Sequence, residues 1–144
     1  MMATAESCTG GMIAAACTDL AGSSQWFERG VVTYSNEAKT ELLGVSAALI
    51  AQHGAVSAEV AEQMARGLIA RAPVDWALAV TGIAGPSGGS AAKPVGTVWL
   101  ALAQRGGAVQ VWHELFPGDR AAVRSQTLSS GLTALLKALR SDGG

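Results

Sequence analysis

The order of hydrophobic and polar positions predicts several short strands separated by helices. Residues 76–81 form a continuous apolar run, which is typical of a central strand covered on both faces. The turn at 105–107 is short and glycine-rich, so it predicts a hairpin. The other predicted strands, each apolar or rich in β-branched and aromatic residues, cover residues 2–7, 30–35, 96–103 and 109–116.

Five segments have the apolar spacing or composition of helices. Met12 to Leu20 is rich in good helix formers and is followed by Gly22, a residue suited to a helix end. Polar residues able to accept hydrogen bonds from first-turn N–H groups precede the other four helices. These predicted caps are Ser35 or Asn36 before the helix carrying Lys39, then Ser46, Ser57 and Asp119.

Strands and helices alternate, a hairpin follows, and a helix closes the chain. This order predicts an α/β fold with a mixed sheet and helices on both faces. Ligands in such folds bind beyond the carboxyl ends of strands. Glycine-rich loops follow the strands that end at Ser7 and Thr81, so we expect both loops to line one crevice.

Composition narrows the class of protein. The 144 residues, 49% hydrophobic and 15% charged, predict one globular domain spanning 1–144. A formal net charge of −1 favours neither nucleic-acid nor membrane partners. Cys8 and Cys17 lack disulfide or zinc spacing, and no apolar run reaches the roughly 20 residues of a membrane span. We therefore expect a cytoplasmic protein with reduced thiols and no metal site.

Ser7 lies where a strand turns into a helix through Thr9, Gly10 and Gly11. Backbone N–H groups and the helix dipole make such a turn a ready oxyanion site beside a serine hydroxyl. Ser7 is then either a nucleophile or an ordinary cap of the helix. The turn is not a phosphate-binding P-loop, because no Gly-Lys-Ser/Thr follows.

A serine nucleophile needs a base. His53 is predicted at a helix end and His113 in the middle of a strand, so neither faces the crevice. Lys39 follows a strand end by a few residues, and partial desolvation there would make it a base. Tyr34 ends the same strand and would relay a proton or orient Ser7. The alternative is that Tyr34 packs and Lys39 is a solvated helix charge.

Two further segments are candidates for substrate contacts. The loop from Thr81 through Gly82, Ala84 and Gly85 lets a ligand approach the backbone closely, or is simply a flexible surface loop. Arg120 and Arg124, one turn apart at the start of the last helix, predict either a phosphate clamp or two solvated charges.

Six segments, in order and spread over nearly the whole chain, together resemble the CinA C-terminal domain family, whose members include nicotinamide-nucleotide amidases. They are TAESCTGG at 4–11, GVVTYSNEAK at 30–39, GAVS at 54–57, TGIAGP at 81–86, KPVGT at 93–97 and FPGDR at 116–120.

The resemblance implies a three-layer α/β/α sandwich with a mixed, mostly parallel sheet. It implies conversion of nicotinamide mononucleotide to nicotinic acid mononucleotide and ammonia. Family members carry a helix and a longer first strand before the first motif, so we expect a short first strand and no such helix here. The implied roles are Ser7 as nucleophile, Tyr34 and Lys39 as its catalytic partners, and Thr81, Gly82, Ala84 and Gly85 as substrate contacts.

These expectations combine into one hypothesis. Ser7 attacks the carboxamide, Lys39 helped by Tyr34 moves the proton to departing ammonia, N–H groups from Thr9 to Gly11 bind the oxyanion, and water hydrolyses the acyl-enzyme. No metal or organic cofactor is expected, and the partners are a nucleotide substrate and further copies of the chain. The alternatives are an inactive nucleotide-binding module with an assembly or regulatory role and an amidase for another small amide.

Overall fold

The computed structural model of the chain describes residues 1–143 and contains a five-stranded sheet in the order β2-β1-β3-β4-β5. β1 pairs in parallel with β2 and β3, whereas β4 is antiparallel to both β3 and β5. Only β4 therefore runs against the others, which confirms the predicted mixed, mostly parallel sheet. The strands are β1 Met2–Glu6, β2 Phe27–Val32, β3 Trp76–Gly82, β4 Thr97–Gln104 and β5 Val109–Leu115.

Helices cover both faces of this sheet. Four predicted caps are confirmed: Ser35, Ser46 and Ser57 accept N–H groups of the helices that follow them, and Asp119 accepts Ala122 N–H at 2.9 Å. The helices are α1 Met12–Thr18, α2 Asn36–Leu43, α3 Ala47–His53, α4 Ala58–Arg71 and α5 Arg120–Gly143, with a short 3-10 helix at Ser23–Gln25. No helix within residues 1–143 has the length and apolar character needed to cross a membrane.

The two faces of the sheet carry side chains of different size, because successive residues of a strand point to opposite sides. One face presents small residues such as Ala77 and Ala101, against which α4 packs with buried residues including Met64, and α2 and α3 pack in turn against α4. The other face presents larger residues such as Leu78 and Leu100, which contact α1 and α5. This arrangement confirms the three-layer α/β/α architecture.

The strands β1, β3, β4 and β5 lie within one residue of their predicted bounds, whereas β2 and α1 differ by more. β2 spans Phe27–Val32 rather than 30–35, because β1 ends at Glu6 and pairs there with Val32. Thr33 N–H makes one more hydrogen bond to Glu6 O, at 2.9 Å, before the chain turns into α2. α1 ends at Thr18 rather than Leu20. The change in β2 leaves Tyr34 in a connecting segment rather than in a strand.

Candidate active site

A tight turn connects β1 to α1 and carries Ser7 at its start. Gly10 and Gly11 have φ angles of +58° and +100°, a left-handed conformation that favours glycine. Gly10 N–H donates to Ser7 O at 3.0 Å, which closes the turn. The Ser7 side chain is consequently held next to the carboxyl ends of β1 and β3.

A buried carboxylate anchors this turn, and the sequence reasoning missed it. Glu6 is 1% exposed, and its two side-chain oxygens accept four hydrogen bonds. Two come from the backbone N–H groups of Ile13 and Ala14, each at 2.9 Å, and two from the hydroxyls of Thr9 and Thr4, at 2.7 and 3.2 Å. A negative charge at the start of α1 is favoured by the helix dipole. A lone glutamate in an apolar strand just before a turn was the signal that could have found it.

Lys39 lies beside Ser7 in the interior of the protein. It is only 1% exposed, because it lies with Leu43 on the buried face of α2. Its Nζ is 3.0 Å from Ser7 Oγ, 2.8 Å from Thr33 O and 3.2 Å from Tyr34 O. Burial lowers the pKa of Lys39, since removal from water disfavours the charged amine.

The three contacts of Lys39 match the needs of a neutral amine that accepts a proton. A neutral amine has two N–H donors, which the carbonyls of Thr33 and Tyr34 accept, and its lone pair is then directed at the Ser7 hydroxyl. After protonation the third N–H donates to Ser7 Oγ, and the serine hydroxyl has an alternative acceptor in Tyr34 O at 3.4 Å. The site therefore accommodates both protonation states of the lysine.

Tyr34 contributes its backbone, not its phenol, to this pair. Its side chain is 61% exposed, and its hydroxyl accepts a hydrogen bond from Arg120 Nη2 at 3.2 Å. Its carbonyl oxygen contacts both Lys39 and Ser7. The hydrogen bonds thus place the phenol at the entrance of the site, away from the serine it was expected to orient.

Cys8 is the other nucleophilic side chain at this turn. It is buried, and desolvation raises the pKa of its thiol to about 11. A thiol with this pKa stays protonated near neutral pH, and only the thiolate is strongly nucleophilic. Of the two side chains, Ser7 is the one hydrogen-bonded to the Lys39 amine.

A cavity of about 310 Å³ opens in front of Ser7. Its walls come from the turn after β1, the start of α2, the segment between α3 and α4, the loop after β3 and the start of α5. The structure therefore brings together eight of the residues singled out from the sequence: Ser7, Tyr34, Lys39, Thr81, Gly82, Ala84, Gly85 and Arg120. Thr9, Gly10, Gly11 and Arg124 do not line it.

Backbone donors near Ser7 are divided between structural and free groups. The N–H groups of Gly10 and Met12 close the turn, and those of Ile13 and Ala14 bind Glu6. Within residues 1–143, the N–H groups of Thr9 and Gly11 have no acceptor in the protein. Of the three N–H groups from Thr9 to Gly11 that were predicted to bind the oxyanion, two are therefore free of protein acceptors.

The two arginines at the start of α5 have different surroundings. Arg120 lines the cavity, and its Nη1 donates to Gly85 O at 2.8 Å. Arg124 points instead at the turn, where its Nε and Nη2 donate to Cys8 O and Thr9 O, both at 3.1 Å. Arg120 accordingly brings a cation to the cavity, whereas Arg124 binds the backbone of the turn.

Neither histidine belongs to the site. His53 ends α3 and lies 3.7 Å from a Glu59 carboxylate oxygen, and His113 stacks on Trp99 with ring centroids 4.8 Å apart. Within residues 1–143, no group of three or more His, Cys, Asp or Glu side chains is arranged to hold a metal ion.

This fold and this buried Ser7–Lys39 pair place the protein among α/β proteins with a serine–lysine site at the carboxyl edge of the sheet. The chain belongs to the CinA C-terminal domain family, whose model matches residues 1–139. It is 56% identical over 132 residues to the nicotinamide-nucleotide amidohydrolase PncC of Shigella flexneri, covering 92% of this chain and 80% of that protein.

Two further comparisons agree with this assignment. The PncC amidohydrolase of Escherichia coli strain K12 is 55% identical over 132 residues, with 92% of this chain and 80% of that protein covered. The crystal structure of a competence/damage inducible protein from Agrobacterium tumefaciens superposes with a TM-score of 0.93 at 48% identity. That superposition covers 95% of this chain and 84% of the other.

Proposed function

We propose that this chain hydrolyses the carboxamide of nicotinamide mononucleotide to nicotinic acid mononucleotide and ammonia, with Ser7 as the nucleophile. The observation that carries the proposal is the 3.0 Å contact between Ser7 Oγ and Lys39 Nζ at the base of a cavity. The type of reaction comes from relatives 55–56% identical to this chain that are named nicotinamide-nucleotide amidohydrolases. A hydrolase of that name cleaves an amide bond with water.

The first half of the proposed reaction forms an acyl-enzyme. Ser7 Oγ attacks the carboxamide carbon while its proton moves to the neutral amine of Lys39. Backbone N–H groups of the turn that follows Ser7 stabilise the oxyanion of the tetrahedral intermediate. Collapse breaks the C–N bond, and the Lys39 ammonium returns the proton to the departing nitrogen, which leaves as ammonia.

The second half restores the enzyme. Lys39, neutral again, takes a proton from a water molecule that attacks the ester carbon. The C–O bond to Ser7 then breaks and the serine regains its proton from Lys39. The carboxylic acid that forms releases its proton to solvent and dissociates as the carboxylate. The carbonyls of Thr33 and Tyr34 keep the amine aimed at Ser7 throughout. These steps need only the protein side chains, its backbone donors and water.

The cavity favours one orientation of the substrate. Its closed end holds Ser7 and Lys39, where the carboxamide must bind, and its entrance holds the Arg120 guanidinium, a suitable phosphate ligand. The ribose then lies along the loop after β3. In this orientation the substrate contacts are Thr81, Gly82, Ala84, Gly85 and Arg120, all of which were proposed from the sequence. Arg124 supports the turn and does not contact the substrate.

The proposal is tested by ammonia release from nicotinamide mononucleotide. Ser7→Ala is expected to abolish turnover while nucleotide binding, measured by calorimetry, persists. Ser141→Ala, an exposed serine on α5, is the matched control. Full turnover by Ser7→Ala would exclude the serine as nucleophile.

Trapping tests the acyl-enzyme itself. Hydroxylamine added during turnover is expected to compete with water and yield the hydroxamate of the nicotinic acid mononucleotide. Hydrolysis without any hydroxamate would argue for direct attack by water. A protein that binds the nucleotide but releases no ammonia would instead be a binding module, and release from other amides in a panel would reveal a different substrate.

We also propose that the protein acts in the cytoplasm and forms a homo-oligomer. Cys8 and Cys17 are both free thiols, as expected in a reducing compartment. The exposed side chains of Leu20, Leu136 and Leu139 line an apolar groove, a feature typical of subunit interfaces. Cell fractionation and light scattering test these two statements, and a purely monomeric species would contradict the second.

A further inference from the structure

The loop between β3 and β4 forms part of the cavity wall, although most of it is exposed. At its base, Ile83 N–H donates to Thr97 O at 2.9 Å and Gly96 N–H donates to Ile83 O at 2.8 Å. Ser87 and Gly88, nearer the tip, line the cavity. The position of these two residues depends on what holds the loop beyond its base.

Apart from the two hydrogen bonds that Thr97, the first residue of β4, donates to Pro94 O, two hydrogen bonds join residues 84–95 to other elements within the described chain. On one side, Arg120 Nη1 on α5 donates to Gly85 O at 2.8 Å. On the other side, Lys93 Nζ donates to His53 O at 2.6 Å, at the end of α3. The segment that follows His53 supplies Ala55 and Val56 to the opposite cavity wall. The loop is therefore fastened on both sides of the cavity.

The contact of Lys93 has the features of a built interaction. His53 is the last residue of α3, where the carbonyl end of the helix dipole attracts a cation. Gly54 follows with φ +80°, and a Cβ there would lie only 3.0 Å from Lys93 Nζ. A hydrogen-bonded turn, in which Lys93 N–H donates to Ser90 Oγ at 3.1 Å, directs the lysine towards the helix.

We propose that Lys93 is a positioning residue that holds the 84–95 loop against the end of α3, so that Ser87 and Gly88 contact the ribose of the bound nucleotide. The inference rests on the proposed function. Lys93 does not itself line the cavity, so its effect reaches the substrate only through the loop. Without this fastening the loop has to be ordered when substrate binds, and that cost weakens binding rather than the chemical step.

Lys93→Met keeps the aliphatic stem and removes the donor. We expect KM for nicotinamide mononucleotide to rise about 10-fold, the size expected for loss of one charged hydrogen bond, while kcat stays within about twofold. Lys137→Met, an exposed lysine on α5, is the control and should leave both constants unchanged. An unchanged KM in Lys93→Met, or a loss confined to kcat, would overturn the inference.

A chemical rescue experiment distinguishes loss of the Lys93 ammonium from a general disturbance of the fold. Lys93→Cys treated with 2-bromoethylamine carries a primary ammonium at nearly the original length and should recover the KM of the unmodified chain. The same treatment of the unmodified chain controls for Cys8 and Cys17, both of which are buried. Failure of the aminoethylated protein to recover would count against a role for the charge.

Affinity measured without turnover keeps this inference distinct from the proposed reaction. In a Ser7→Ala background, Lys93→Met should raise the Kd for nicotinamide mononucleotide by about the same factor of 10. If the unmodified chain binds the nucleotide but releases no ammonia, the proposed reaction fails and the Kd shift still supports Lys93. If ammonia is released but Kd is unchanged by Lys93→Met, only the inference about Lys93 fails.

Discussion

Lys39 Nζ and Ser7 Oγ lie 3.0 Å apart although 32 positions separate them in the sequence. The lysine is almost completely buried, and backbone carbonyls surround the rest of its amine. No carboxylate is among its hydrogen-bonding partners within residues 1–143, so burial lowers its pKa without an opposing ion pair. This environment favours the neutral amine, the form that can take a proton from the serine.

The pH dependence of turnover follows from this environment. The neutral amine is the active form, so kcat/KM should rise with pH and reach half its maximum below 10.5, the ordinary pKa of lysine. Lys39→Arg, which stays protonated, should lower kcat by about 100-fold or more and remove this inflection. A pH–rate profile of both proteins checks the prediction, and an inflection that persists in Lys39→Arg would assign the base elsewhere.

Glu6 should affect both stability and catalysis. Glu6→Gln keeps the shape of the side chain but replaces one carboxylate oxygen with an NH₂ group. That group faces N–H or O–H donors, which need an acceptor. We expect the free energy of unfolding to fall by about 2 kcal/mol and kcat to drop as the turn shifts Ser7. Urea denaturation and ammonia release measure the two effects. Glu37→Gln, exposed in the first turn of α2, is the control, and equal losses in both variants would contradict an anchoring role.

Arg120 and Arg124 should have separable effects on the substrate. Arg120→Met removes the cation at the cavity entrance, so KM should rise about 10-fold for nicotinamide mononucleotide. KM should rise by a smaller factor for the dephosphorylated nucleoside, because that variant also loses the hydrogen bond to Gly85 O that fastens the 84–95 loop. Arg124→Met releases the carbonyls of Cys8 and Thr9, so kcat should fall for both substrates. Kinetics with the two substrates provide the measurement. If Arg124→Met raised KM for the nucleotide alone, Arg124 would be the phosphate ligand instead.

Gly67 controls how closely α4 approaches the helix that carries Lys39. A Cβ at this position would lie 1.9 Å from Leu43 O, at the end of α2. Gly67→Ala should therefore push α2 outward, destabilise the fold by about 1–3 kcal/mol and lower kcat by moving Lys39 away from Ser7. Thermal unfolding and turnover test this. Gly107→Ala, whose Cβ would meet only the Gln104 side chain, is the control.

Much of the architecture could be predicted from the sequence because its signals are local. The alternation of strands and helices, the serine caps and the apolar run of β3 each depend on residues close together in the chain, and the structure confirms them. The position of Ser7 at a strand–turn–helix junction is of the same kind. Its meeting with the loop after Thr81 followed from the rule that parallel strands end at one edge of a sheet.

Other features of the site were decided by contacts between distant segments, which no local pattern encodes. The burial of Lys39 depends on packing of α2 against α4, and the direction of the Tyr34 side chain depends on Arg120, which lies 86 residues away. Arg124 and Glu6 carry charges that the sequence alone would assign to a ligand or to solvent, yet the fold directs Arg124 at the carbonyls of the turn and Glu6 at N–H groups in the first turn of α1. The sequence by itself determined which chemical groups lie near the carboxyl edge of the sheet. Only the tertiary structure decided which of them are desolvated and which backbone atoms they contact, because both depend on how the layers pack.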